Sequence, residues 1–193
     1  MPPLNHSTNR MRITLDTNAV IDLEESGPAA VDLRELIRLH ADGRITVCVS
    51  KIAASERDRN SNGHPDYNRF LKKLQAIGLG NAELLTPLGY FDVTFWDNCL
   101  SAGPDDEALA NKIWDILFPG WRGQPNLPPD KGRNALCDVA NMWCHIKHRG
   151  DVFVTRDQNF HKATKKPDLI ALGARNILEP SQTLHLIRQA QSP

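Results

Sequence analysis

Short β-prone runs alternate with helical segments along this chain, and this alternation is what most limits its possible folds. Strands are predicted at 11–16 (MRITLD), 45–50 (ITVCVS) and 151–157 (DVFVTRD), with shorter ones at 169–172 and at 177–178. Apolar residues recur at helical spacing in the segments between them, which are 28–40, 51–59, 65–77, 104–118, 134–148 and 181–190. This order predicts an α/β protein with a mainly parallel sheet covered by helices on both faces, a three-layer α/β/α arrangement.

The length of 193 residues suits one domain, with 60–133 as an extended helical and loop insertion and 119–133 as its loop. Residues 1–10 contain no apolar core after a basic start, so we expect a disordered lead-in without a secretion signal. No apolar run approaches the roughly 20 residues that span a bilayer. We therefore expect no contact with membranes. The four cysteines form no CxxC pair, which favours reduced thiols and a cytoplasmic protein.

The formal net charge is +0, but the charges are unevenly distributed. Residues 81–130 carry two basic and eight acidic side chains, whereas residues 131–175 carry nine basic and four acidic ones. A basic surface is therefore available for a nucleic acid. Solvated helix faces are the more common origin of such an imbalance, so the charge pattern alone gives weak support.

Four acids follow or border the predicted strands. Asp16 ends the first strand, Asp157 follows the VFVT run, Glu56 lies on the helix after the second strand, and Asp138 lies near the start of its own helix. The carboxyl ends of parallel strands share one sheet edge, so these acids are predicted to converge there. Such carboxylates repel each other unless a cation lies between them, and oxygen ligands suit Mg²⁺ or Mn²⁺. Side chains that could support them from behind are Asn18, Ser50 and Thr155.

Taken singly, each of these acids is more often a helix or turn cap than a metal ligand. Their shared placement carries the prediction. A phosphoaspartate phosphatase also begins with an Asp at the end of the first strand, but it needs a second Asp where Asn18 stands. A response-regulator receiver is disfavoured because no acidic pair precedes or closely follows Asp16. A nucleotide-binding Rossmann domain is disfavoured because no glycine-rich turn precedes Gly27.

Four segments together resemble PIN-domain ribonucleases: LDTNAVID at 15–22, VSKIAASE at 49–56, NALCDVANMW at 134–143 and DVFVTRDQNF at 151–160. The resemblance implies a five-stranded parallel sheet and hydrolysis of single-stranded RNA with Mg²⁺ or Mn²⁺. It implies that Asp16, Glu56, Asp138 and Asp157 are catalytic metal ligands, with Asn18 and Thr155 supporting them.

The interval between Glu56 and Asp138 is longer than in the compact PIN toxins of toxin/antitoxin pairs. Asp58, Asp105 and Asp106 are therefore open alternatives to Glu56 as the metal ligand. An antitoxin protein and a homodimer are the protein partners that the resemblance leaves open. The competing interpretation is a catalytically inactive PIN-like protein that binds RNA or acts as a scaffold.

Two further groups are predicted to bind the RNA substrate. Arg156, Lys162, Lys165 and Lys166 follow the last catalytic strand and are placed to hold the RNA backbone. Trp121, with Arg122, Lys131 and Arg133 in the same loop, suits base stacking beside phosphate contacts. The alternative for Trp121, equally weighted, is that it packs the loop onto the core.

Overall fold

The computed structural model describes residues 10–55, 66–90, 94, 98–122 and 128–190. It contains one sheet in the strand order β3-β2-β1-β4-β5, and every pair of neighbouring strands is parallel. The strands are β1 (Met11–Leu15), β2 (Ile45–Ser50), β3 (Glu83–Leu85), β4 (Val152–Val154) and β5 (Asn176–Leu178). The predicted α/β/α fold class with a five-stranded parallel sheet is confirmed.

Helices cover both faces of this sheet. They are α1 (Thr17–Glu25), α2 (Ala30–Ala41), α3 (Tyr67–Ala76), α4 (Pro104–Leu117), α5 (Pro129–Lys147), α6 (Gln158–His161), α7 (Lys166–Leu169) and α8 (Pro180–Ala190). One core joins the sheet to α1, α2, α3 and α8, and a second core joins it to α4, α5 and α7.

Strand β4 shows how one run of sequence serves both cores. Val152 and Val154 belong to the core on the α2 side, and Phe153 between them belongs to the core on the α5 side. All three side chains are 0% exposed. A parallel strand buried on both faces needs this continuous apolar run, because successive side chains point to opposite faces.

Two elements are absent from the prediction, helix α1 and strand β3. The Asp16 side chain accepts a hydrogen bond from the Thr17 amide and so caps α1, whose buried residues include Ala19, Val20 and Leu23. Strand β3 has three residues and forms the edge of the sheet beside β2. It is the fifth strand of the sheet, in place of the strand predicted at 169–172.

Three predicted boundaries are wrong. Residues 169–172 form no strand: Leu169 ends α7, and Ile170–Ala174 continues as a π-helical turn in which Gly173 has φ 113°. The predicted loop 119–133 is shorter, because α5 begins at Pro129. After Ser50 the described chain forms a 3₁₀ helix, Lys51–Ser55, in place of the first turns of an α-helix.

Several predictions concern residues outside the described ranges: the lead-in before Arg10, and the acids Glu56 and Asp58. The four cysteines, Cys48, Cys99, Cys137 and Cys144, form no disulfide. Among the helices that the structure describes, none combines the length and apolar character needed to cross a bilayer.

Candidate metal site at the carboxyl edge of the sheet

Asp16 is the centre of a buried polar network where β1 meets α1. Its carboxylate is 3% exposed. Oδ1 accepts hydrogen bonds from the backbone amide of Thr17 and from Asn141 Nδ2, each at 2.8 Å. Oδ2 accepts from Asn18 Nδ2 and from Thr155 Oγ1, each at 2.6 Å. The same carboxylate therefore caps α1 and joins it to α5 and to the end of β4.

Asp157 lies close to Asp16, since β1 and β4 are neighbours in the sheet. It caps α6 by accepting a hydrogen bond from the Asn159 amide at 2.8 Å, and its own amide donates to Thr155 Oγ1 at 3.0 Å. Burial raises the pKa of Asp16 to about 6, and the negative charge of Asp157 adds to this rise. Hydrogen bonds from Thr155, Thr17 and Asn141 act in the opposite direction.

Asn18 and Thr155, both predicted to support the acids, contact Asp16 and each other. Asn18 Nδ2 also donates to Thr155 Oγ1 at 2.9 Å, and Asn18 Oδ1 accepts from the Arg156 amide at 3.2 Å. Ser50 has a different set of contacts. Its hydroxyl donates to Cys144 Sγ at 3.2 Å and accepts from the Ile52 amide at 3.3 Å, so it begins the 3₁₀ helix.

Asp138 lies half-buried on α5, three residues before Asn141. Residues three apart share one side of a helix, so Asp138 is on the side of α5 that bears the Asp16 contact. The end of the 3₁₀ helix meets α5 at Arg133, five residues before Asp138. Arg133 donates to the Ser55 carbonyl through Nε at 3.2 Å and Nη2 at 2.7 Å. Ser55 is the last described residue before Glu56.

The described alternatives to Glu56 lie at the start of α4. Asp106 forms an ion pair with Lys147 at 2.5 Å. Lys147 follows Asn141 by six residues, which places it about 9 Å further along α5. This pair lowers the pKa of Asp106. Asp105 is exposed at the same helix start. Neither acid is joined to the Asp16 network by a described contact.

The basic residues after β4 differ in their surroundings. Arg156 Nη1 pairs with Asp22 Oδ2 at 2.5 Å on α1. Lys165 Nζ donates to the Leu117 carbonyl and to Asn159 Oδ1 and lies 5.9 Å from the centre of the Phe118 ring. Burial, together with the nearby charge of Lys162, lowers the pKa of Lys165. Lys165 thus joins the end of α4 to the segment after β4.

Trp121 and Arg122 follow α4 and contact it. The Trp121 ring lies 5.2 Å from the Phe118 ring and is half-buried, and Arg122 pairs with Asp115 at 2.9 Å. Lys162 is exposed and Lys166 is half-buried. These two lysines are therefore better placed than Lys165 to contact a phosphate.

Two buried polar residues at the site were missed by sequence reasoning, Asn141 and Asp22. Asn141 follows Asp138 by about one helical turn and stands among the apolar residues Val139, Ala140, Met142 and Trp143, so its polarity was an available signal. Asp22 ends the LDTNAVID segment and lies four residues after Asn18 on the same side of α1. It is 7% exposed, which the sequence pattern did not reveal.

Among the described residues no group of three or more Asp, Glu, His or Cys side chains is close enough to hold a metal ion. The candidate ligand atoms at the site are all oxygens, from the carboxylates of Asp16 and Asp157 and from the amide of Asn141. Oxygen ligands fit a hard divalent cation. The fit is also electrostatic: burial is the main cause of the raised pKa of Asp16, the charge of Asp157 adds to it, and a cation would relieve that repulsion.

The chain was compared with family models, with curated proteins and with solved structures, and no match was found in any of the three. The resemblance to PIN-domain ribonucleases therefore remains a prediction from the residues quoted above.

Proposed function

We propose that this protein is a Mg²⁺- or Mn²⁺-dependent endoribonuclease that hydrolyses phosphodiester bonds of single-stranded RNA. The observation that carries the proposal is the meeting of Asp16 and Asp157 at the carboxyl ends of two adjacent parallel strands. In open α/β sheets this edge is where ligands bind. The network of Asn18, Thr155 and Asn141 holds the Asp16 carboxylate in one orientation.

In this proposal Asp16 and Asp157 hold the cation, and Asp138 joins them from α5. Glu56 is the fourth predicted ligand. The cation would supply an activated water and would neutralise charge on the leaving oxygen. The protein residues supply orientation: Thr155 donates to Asp16 Oδ2 and accepts from the Asp157 amide, so one hydroxyl fixes the positions of both acids.

The charges around Asp157 support a nucleic-acid substrate. The segment that carries Asp157 also contains Lys162, Lys166 and the partly exposed Arg156. These side chains can hold the backbone phosphates of a single strand.

Because the four cysteines form no disulfide, we place the reaction in the cytoplasm.

The test is cleavage of an internally unstructured RNA of mixed sequence by the purified protein, beside a DNA of the same sequence. We expect Mn²⁺ to support internal cleavage of the RNA, giving 5′-phosphate ends, and excess EDTA to stop it. Cleavage that continues undiminished in EDTA would contradict the proposal, and faster cleavage of the DNA would reassign the substrate.

One observation favours the alternative, a catalytically inactive PIN-like protein that binds RNA or acts as a scaffold. The two oxygens of Asp16 already accept four hydrogen bonds from the protein, which is about the full capacity of a carboxylate. A cation has to compete with these donors. RNA binding that is equal in Mn²⁺ and in EDTA, without cleavage in either, would support this alternative.

A further inference from the structure

The side chain of Asn141 lies on α5 against Asp16 and is 1% exposed. Its Nδ2 donates to Asp16 Oδ1 at 2.8 Å and lies 3.3 Å from Thr17 Oγ1. The amide cannot be turned over, because its oxygen would then face a carboxylate oxygen and neither atom carries a proton to share. The contact with Asp16 therefore fixes where Asn141 Oδ1 lies.

Asn141 Oδ1 is buried, and the structure gives it no hydrogen-bond donor. A buried acceptor without a partner costs roughly 1–3 kcal/mol, so native proteins rarely keep one without a ligand or water to satisfy it. Oδ1 belongs to the same small amide group that donates to Asp16, and so it lies within a few ångströms of the Asp16 carboxylate. A buried carboxylate and a buried neutral acceptor therefore lie side by side, with the half-buried Asp157 beside Asp16.

We propose that Asn141 is a binding residue of the divalent-cation site and that its Oδ1 accepts a hydrogen bond from the hydration shell of the cation. The inference rests on the proposed function and adds a residue to its site. Mg²⁺ and Mn²⁺ retain several waters when protein carboxylates bind them, and those waters are strong donors. An amide oxygen can accept from them without adding to the repulsion between Asp16 and Asp157.

A purely structural role for Asn141 explains its contacts less completely. Supporting Asp16 needs only the Nδ2 donor, and Asp16 already has donors from Thr17, Asn18 and Thr155. The structural role leaves the buried Oδ1 unexplained. The cation accounts for both ends of the amide, since one end orients a ligand and the other contacts the hydrated ion.

The test measures Mn²⁺ binding to the full chain by the loss of the electron paramagnetic resonance signal of free Mn²⁺. Two variants should move the dissociation constant in opposite directions. Asn141→Leu removes both the Oδ1 acceptor and the Nδ2 donor at similar volume and should weaken binding about 10- to 100-fold, the range for residues behind metal ligands. Asn141→Asp adds a charged oxygen and should tighten binding, although it should lower the melting temperature of the metal-free protein.

The matched control is Thr183→Val, which removes another buried hydrogen bond, from Thr183 Oγ1 to the Glu179 carbonyl at 2.9 Å on α8. It should leave the Mn²⁺ dissociation constant unchanged. Wild-type Mn²⁺ binding with dissociation constants within twofold for both Asn141 variants would overturn this inference alone. Absence of Mn²⁺ binding in the wild type would contradict the proposed function as well. If Asn141→Leu does not fold, the direction of the change in Asn141→Asp decides.

Discussion

Asp16 shows how one side chain can be required by the fold and by the candidate site at once. It caps α1 through the Thr17 amide and also lies beside Asp157. Burial raises its pKa, and the charge of Asp157 adds to this rise. A structural cap is stabilised by donors, whereas a pair of neighbouring carboxylates destabilises the metal-free fold. Substituting Asp16 changes both effects together. Asp157 separates them better, because Asn can replace its cap without its charge.

We predict that Asp157→Asn leaves the free energy of unfolding of the metal-free protein unchanged or raised at pH 7. Asn still caps α6 through the Asn159 amide, and the repulsion of Asp16 is removed. The same variant should lose RNA cleavage and most of the stabilisation that Mn²⁺ gives the wild type, since a ligand stabilises only by its affinity for the folded state. Urea unfolding with and without Mn²⁺ measures both effects.

Asp157→Ala is the control, because it removes the charge and the cap together. It should be less stable than Asp157→Asn by about 0.5–2 kcal/mol, the usual worth of a helix cap. An undiminished Mn²⁺ response in both variants would remove Asp157 from the cation site and leave it as a cap alone.

His145 is a buried histidine that the fold holds neutral. It is 0% exposed, with Nδ1 2.9 Å from Thr14 Oγ1 and Nε2 2.9 Å from the Ala174 carbonyl. The carbonyl can only accept, so Nε2 carries the proton and Nδ1 accepts from the Thr14 hydroxyl. A second proton would break this arrangement. Burial lowers the pKa of His145 to about 4.

This lowered pKa predicts a loss of stability in mild acid. As the pH falls from about 6.5 to about 4, the unfolded chain binds a proton at His145 and the folded chain does not, so up to about 3 kcal/mol is lost. Asp16 has the opposite sign: its raised pKa, about 6, adds stability as the pH falls below that value. The wild-type profile contains both effects.

His145→Gln isolates the histidine contribution. Urea unfolding at pH 7 and at pH 4.5 should show a smaller acid loss for His145→Gln than for the wild type, because the variant lacks the titrating group. Comparing each protein with itself at the two pH values cancels the packing defect of the substitution. Equal acid losses in the two proteins would show that His145 is not held neutral in this way.

At the scale of elements, the sequence predicts the parts whose pattern is local. Strands β1, β2 and β4 were predicted because β-branched or apolar runs of three to six residues are buried on both faces. Asp16 and Asp157 could be placed at one edge for the same reason, since parallel strands end together. The contact of Asp16 with Asn141 could not be predicted, because it joins residues 125 apart in the sequence.

The errors also have physical causes. A short apolar run such as 169–172 fits a strand and a buried helix equally, and here Leu169 is buried at the end of a helix. Strand β3 has three residues with one fully buried side chain, Leu85, which is too short for a periodic signal. Its place in the sheet comes from pairing with β2, a contact that lies far away in the sequence.

The junction of α4 with the segment after β4 gives a prediction at this scale. Lys165 contacts the Leu117 carbonyl, Asn159 Oδ1 and the Phe118 ring, so Lys165→Met should cost about 1 kcal/mol of stability. Lys162→Ala and Lys166→Ala should change stability by less than about 0.5 kcal/mol. Thermal unfolding of the three variants provides the comparison.

RNA binding should order the same lysines differently. Lys162→Ala and Lys166→Ala should each lower the log-log salt slope of binding by about 0.7 if they contact a phosphate of a single strand. Lys165→Met should leave this slope unchanged, because its ammonium is already bound to the protein. A slope that changes only in Lys165→Met would mean that Lys165 leaves its partners to bind RNA.

At the scale of the whole molecule, the sheet belongs to two cores at once. The core on the α2 side contains Val47 and Val154, and the core on the α5 side contains Cys48 and Phe153 from the same two strands. If one layer of helices separates from the sheet, it exposes one apolar face of strands whose other face is still covered by the second layer. The two cores are therefore expected to unfold together.

We predict that urea unfolding of the full chain has one midpoint, whichever layer the probe reports. Trp143 lies in the core on the α5 side and Trp114 packs against it, so the fluorescence of these two tryptophans follows that layer. Far-ultraviolet circular dichroism follows all the helices, and hydrogen exchange at α2 follows the other layer. Coincident midpoints, and a common shift when Mn²⁺ is added, are expected because ligand binding at a shared sheet edge stabilises one cooperative unit. If fluorescence changes before exchange protection is lost at α2, the two cores unfold independently and Mn²⁺ should shift only the transition of the layer that contributes most to its site.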